Sequence, residues 1–164
     1  MLDLSQILPN VYVGPCLTST DEIDELKAMG ITAVLNLQTD DDFDLENIDG
    51  QRLADHYQQV EIKVVRIEVR GPGELQVKLM DCLGVLRSLL AQGHAVLVHC
   101  TDGQNRAPTV VIAHLHRVLG WELHEAVTHV KTKRPTSDPY LEVITQSEND
   151  GPQSTPTSVA VSAS

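Results

Sequence analysis

Aromatic side chains are scarce in this 164-residue sequence, which has one Phe, one Trp and three Tyr. Proteins that bind nucleic acid or polymeric sugar by stacking need several such rings, so that mode of binding is not expected. Basic residues are also few, 12 Lys and Arg against 23 Asp and Glu, for a formal net charge of −11. The resulting field repels polyanions, and nucleic acid is not expected as a partner. Cysteine occurs only at Cys16, Cys82 and Cys100. An odd number at irregular spacing argues against a disulfide framework and for a reducing compartment. No apolar run approaches the roughly 20 residues that span a bilayer, and no charged-then-apolar leader precedes Ser5. The expectation is a soluble cytoplasmic protein without membrane association, long enough for one domain around a single core.

What the sequence does contain is concentrated between residues 95 and 106, Ala-Val-Leu-Val-His-Cys-Thr-Asp-Gly-Gln-Asn-Arg. A continuous apolar run ends at His99 and Cys100, and a polar loop with Gly103 follows, so a buried strand feeds a loop. From Arg106 the pattern turns helical, with Val111, Leu115 and Val118 on one face and Pro108 near the start, where its missing N–H costs nothing. A loop between a strand's carboxyl end and a helix's amino end gathers outward-facing N–H groups and the positive end of a helix dipole. Together these bind an anion, and the same field favours thiolate over thiol in a cysteine placed there. Arg106, six residues after Cys100, adds a planar fork able to hold two phosphate oxygens. A buried structural thiol and a surface arginine would account for either residue alone, but not for the whole pattern.

His99-Cys100-x-x-Gly103-x-x-Arg106 resembles the signature of the cysteine-based protein tyrosine phosphatases, in particular their small dual-specificity branch. The resemblance runs from about Leu8 to about Ile144. It implies hydrolysis of a phosphate monoester through a phosphocysteine, with Cys100 as nucleophile and Arg106 as phosphate ligand. Residues Thr101, Asp102, Gly103, Gln104 and Asn105 would form the rest of the substrate loop, and His99 would support it without acid–base work. The implied partner is a phosphorylated protein or another phosphomonoester, with no cofactor and no metal.

The remaining chain alternates strand and helix signals. Val11 to Gly14 reads as a short strand, led into by Ile7 to Asn10, and it resembles the family's opening segment, which implies a place at the sheet edge. Ser19-x-x-Glu22 is a capping box opening a helix that Gly30 closes. Residues 31 to 37 and 64 to 69 read as strands, and 50 to 59 as a helix. The acidic stretch Asp40 to Asp49 reads as a solvated loop. Leucines at 75, 79, 83, 86 and 90 mark a long amphipathic helix containing Cys82 as a small core residue. Leu123, Val127 and Val130 mark a last long helix ending at Lys133-Arg134-Pro135. That ending resembles the family's closing Arg-Pro element, with another helical turn from Tyr140 to Ile144. Lys131, Lys133 and Arg134 read as a solvated helix end, and His114, His116, His124 and His129 as surface histidines rather than metal ligands. The fold class expected is α/β: one domain over residues 1–145, a mainly parallel sheet of four to five strands flanked by helices. Residues 146–164 read as a disordered tail.

The chain departs from the family's pattern in three places. The family's leaving-group acid, an aspartate about 30 residues before the cysteine, is replaced by Gly71 within Arg70-Gly-Pro-Gly-Glu74. Glu74 and Asp102 are the substitute candidates. Ala107 stands where many members have Ser or Thr, as it does in glucan phosphatases and some others, and the stretch Gly30 to Gln38 also resembles the equivalent strand of dual-specificity phosphatases, glucan phosphatases included. The loop interior instead matches RNA 5′-triphosphatases of the superfamily at Thr101, Gly103, Asn105 and Arg106. A protein phosphatase is the leading expectation; a phosphate-binding pseudophosphatase, an RNA 5′-phosphatase and a glucan phosphatase are the alternatives.

Overall fold

The computed structural model describes residues 2–146, and the tail expected from residue 146 onward lies, from residue 147, outside the described residues. Five short strands form one sheet: β1 (Ser5–Leu8), β2 (Val11–Gly14), β3 (Ala33–Asn36), β4 (Lys63–Arg66) and β5 (Val96–His99), in the spatial order β1-β2-β5-β3-β4. Only β1 and β2 pair antiparallel; β2, β5, β3 and β4 run parallel. The Val11–Gly14 strand therefore lies one place inside the edge expected for it. Its lead-in forms the edge strand itself, with Ser5 opposite Val13 across the Asn10 turn.

Parallel strands need crossovers, and the helices supply them on both faces. Helices α4 (Pro72–Ala91), α5 (Arg106–Ala113) and α6 (Leu123–Lys133) cover one face. There Leu75, Leu79, Leu86, Val110 and Val130 pack against Val13, Leu35 and Val98. Helices α1 (Thr20–Ala28) and α3 (Gly50–Gln59) cover the other, with Ile23, Leu26, Leu53 and Tyr57 against Val34 and Leu97. Each such leucine or isoleucine contributes about 1.5–3 kcal/mol on burial. A 5-residue π-helical turn, His114–Val118, extends α5, and residues 141–146 are helical.

The acidic stretch is not a loop throughout. Asp40–Leu45 is a short helix, α2, because Thr39 and Asp42 form a reciprocal capping box that supplies the first turn's unpaired N–H groups. The expectation of four surface histidines is also corrected. His114 is buried, while half-buried His116 and His129 donate to the carbonyls of Trp121 and Ile7, both at 2.7 Å. Only His124 is exposed.

Candidate active site

Gly14, His99, Asn36 and Arg66 stand side by side across the four parallel strands, at their carboxyl ends. In such sheets the crevice beyond those ends is where ligands bind. Strand alternation sends Val96, Val98 and Cys100 to the α5 side of the sheet and Leu97 to the α3 side. Cys100 is buried at the base of the loop that joins β5 to α5. His99 lines a cavity of about 700 Å³ between α3 and strands β3 and β4, bounded also by Gln38, Phe43 and Tyr57. Cys100 and Arg106 do not line that cavity. Burial pushes the His99 imidazole down to about 4, outweighing its bond to the Cys100 carbonyl (Nδ1 to O, 3.2 Å), so it is neutral near pH 7.

The loop is held from three sides. The Cys16 N–H donates to the Thr101 carbonyl (2.9 Å), and Gln38 Nε2 donates to Thr101 Oγ1 (3.2 Å). The segment after α6 is stitched to its far end: Asp138 N–H donates to Gln104 O (2.6 Å) and Asn105 Nδ2 to Asp138 O (2.7 Å). Thr109 Oγ1 bridges the Asn105 carbonyl (2.7 Å) and the Tyr140 N–H (2.8 Å). From below, Arg134 is buried against the loop, not solvated as expected. Its Nε donates to Gly103 O (2.8 Å), and its Nη1 to Asp3 O (2.9 Å) and Ser5 Oγ (3.2 Å). Lys131 and Lys133 are exposed. Gly103 sits in the left-handed region (φ +72°), and a Cβ there would lie 2.6 Å from both Arg134 Nη2 and the Gly14 carbonyl carbon. Glycine is required on both counts.

Removing the Arg134 guanidinium would strand the Gly103 carbonyl in a buried place. Arg134→Met is therefore expected to cost about 2–4 kcal/mol of stability. Urea unfolding would measure this, and a loss below about 0.5 kcal/mol would contradict the assignment.

Arg106 is half-buried, and three groups fix its guanidinium. Nη1 donates to Asp42 Oδ2 (2.7 Å) and to the Val69 carbonyl (2.8 Å), and Nη2 donates to Thr101 Oγ1 (3.3 Å). Burial opposes its charge, but the bond to the Asp42 carboxylate and the nearby Cys100 outweigh that and raise its pKa. The two carboxyls singled out from the sequence are engaged elsewhere. Asp102 Oδ1 accepts from the Gln104 N–H (3.0 Å) within the loop, and exposed Glu74 accepts from the Arg70 N–H (2.8 Å) at the start of α4. Asp42 was not singled out from the sequence, and Arg134 was placed there only in a solvated basic helix end. Thr39-x-x-Asp42 did carry a capping-box signal, which would have located the helix; nothing in Lys-Arg-Pro indicates an inward-turned arginine.

A strand, a cysteine-headed loop and a helix at the carboxyl end of a parallel sheet are the arrangement of the cysteine-based phosphatase superfamily. A family model for the dual specificity phosphatase catalytic domain matches residues 11–148, and this chain belongs to that family. The chloroplastic phosphoglucan phosphatase LSF1 of Arabidopsis thaliana is 34% identical over 128 residues, covering 77% of this chain and 22% of its own length. Laforin of Mus musculus is 29% identical over 161 residues (89% and 48%), and dual specificity protein phosphatase 2 of Mus musculus 33% over 137 residues (82% and 38%). The chain thus spans about a fifth to a half of the length of these relatives. Among solved structures, PTPMT1 superposes with a TM-score of 0.75 at 18% identity, over 94% of this chain and 99% of that one, which speaks to the fold. No helix among the described residues is long and apolar enough to cross a membrane.

Proposed function

We propose that this chain hydrolyses phosphate monoesters through a phosphocysteine, as a protein tyrosine or dual-specificity phosphatase. The observation that carries the reading is the pairing of Cys100 at the loop's base with Arg106 fixed at its end. The Cys100 sulfur attacks phosphorus in line, forming an S–P bond as the bond to the leaving oxygen breaks. Arg106 and the loop N–H groups of residues 101–106 hold the equatorial oxygens while charge redistributes. A water then attacks phosphorus, the S–P bond breaks, and inorganic phosphate leaves. Neutral His99 holds the Cys100 carbonyl and takes no part in proton transfer. Glu74 is the leading candidate to protonate the leaving oxygen, with Asp102 as the alternative; either would have to give up its present N–H partner. The accompanying location is a reducing one such as the cytoplasm, since Cys100, like Cys16 and Cys82, is a free thiol.

Gly71 favours a second reading, a module that binds phosphorylated ligands with little turnover. Rapid quench with a labelled aryl phosphate separates the two. The expected result is label on Cys100, mapped by mass spectrometry, together with phosphate release. Binding without label or release overturns the enzymatic reading.

A further inference from the structure

Helix α2 opens with three consecutive aspartates, and each meets a different arginine. Asp40 accepts from Arg66 Nη2 (2.8 Å), Asp41 from Arg70 Nη1 (2.5 Å) and Asp42 from Arg106 Nη1 (2.7 Å). The pairs differ in burial. The Asp41 and Arg70 side chains are each 65% exposed, and such pairs are worth little in water, whereas those of Arg106 and Asp42 are 11% and 19% exposed. Arg66 further fixes the helix, with its guanidinium 4.5 Å over the Phe43 ring and its Nε on the Gln38 carbonyl (2.9 Å).

The partners of Arg106 divide its fork unevenly. Nη1 carries both short bonds, to Asp42 and to the Val69 carbonyl, so it is committed to fixed protein groups. Among the described residues the opposite edge, Nε and Nη2, has only the long bond to Thr101 Oγ1. That edge adjoins the first loop residue after Cys100, and two parallel N–H groups there match two phosphate oxygens. Asp42 cannot easily swing away. Its Oδ2 also accepts from the Thr39 N–H (2.8 Å) and Thr39 Oγ1 (3.2 Å).

We propose that Asp42 is a positioning residue: from α2 it holds Nη1 of Arg106, so that the Nε–Nη2 edge is presented to a phosphate group in the loop. This rests on the reading of the loop as a phosphate site. It also separates Asp42 from the missing proton donor. Burial pushes the Asp42 carboxyl up, but the bonds from Arg106 and Thr39 outweigh it and hold the carboxyl below its ordinary range, ionised near neutral pH.

The test is a cycle of substitutions in the full chain carrying Cys100→Ser, with orthophosphate affinity read by calorimetry. Asp42→Asn is expected to weaken binding about tenfold to a hundredfold while Arg106 is present, and less than about twofold once Arg106 is alanine. Asp42→Glu should restore part of the loss. Equal losses in both backgrounds, or none with Arg106 intact, overturn the positioning role and leave the phosphate site standing. No binding with Asp42 and Arg106 both present overturns the site and the role together. With Cys100 intact, Asp42→Asn should slow p-nitrophenyl phosphate and phenyl phosphate by the same factor. A distinctly larger loss on phenyl phosphate would make Asp42 a proton donor and overturn the proposal.

Discussion

Cys100→Ser is expected to lower turnover of p-nitrophenyl phosphate by ~10⁴-fold or more while leaving orthophosphate affinity within about threefold. The hydroxyl is nearly isosteric with the thiol but is a far weaker nucleophile near neutral pH. Cys100 is fully buried at the base of the loop. On the proposed reading, phosphate affinity depends on the loop N–H groups and Arg106, which the substitution leaves alone. The measurement pairs steady-state release with calorimetry on the same preparation. Turnover within tenfold of the unsubstituted chain would exclude a phosphocysteine at Cys100 and move the chemistry to an activated water.

Phosphotyrosine peptides are expected to be cleaved ~10²- to 10⁴-fold faster than phosphoserine peptides matched for binding, the size of effect a general acid supplies. Without a placed proton donor the departing oxygen carries most of its negative charge. Tyrosine's phenol ionises at a pKa of about 10, whereas serine and sugar hydroxyls are much weaker acids. Glu74 is the internal control. If it leaves Arg70 and serves as the acid, Glu74→Gln should slow alkyl esters most and the best aryl leaving groups least; if it only holds the Arg70 N–H, the substitution should change neither. Gly71 also invites a gain of function. Its backbone is extended (φ −166°, ψ −166°), it is the N-cap of α4 without a side-chain cap, and a Cβ there meets nothing within 4 Å. Gly71→Asp should therefore fold, and should raise rates on poor leaving groups to the extent that the carboxyl faces the loop instead of capping α4. Equal rates on both peptides with Glu74→Gln silent would mean that another donor, such as Asp102, acts.

What could be read from the sequence was what depends on neighbours in the chain. The anion loop is one continuous stretch, and its strand, glycine and helix start declare themselves within a dozen residues, because each follows from local backbone geometry and side-chain periodicity. The leucine pattern of α4 and the Ser19 cap of α1 were legible for the same reason, although the Glu22 side chain accepts from Thr18 rather than closing the expected capping box. The edge strand β1 was not, since four residues around a bulge in register carry too little alternation to separate a strand from its lead-in.

The tertiary structure alone decided which charges face the site. Asp42 lies 64 residues from Arg106, and Arg134 lies 31 from Gly103. In sequence each belongs to a run of like charges, and composition assigns such runs to water. Burial reversed that assignment for one member of each run. A charged group leaves water only where opposite charges or carbonyls compensate its desolvation, and those partners come from elements that meet only when the sheet is assembled. The local sequence thus determined that a glycine-containing loop joins a strand to a helix after Cys100, and the packing of α2 and the end of α6 against it determined how its arginine and its glycine are held.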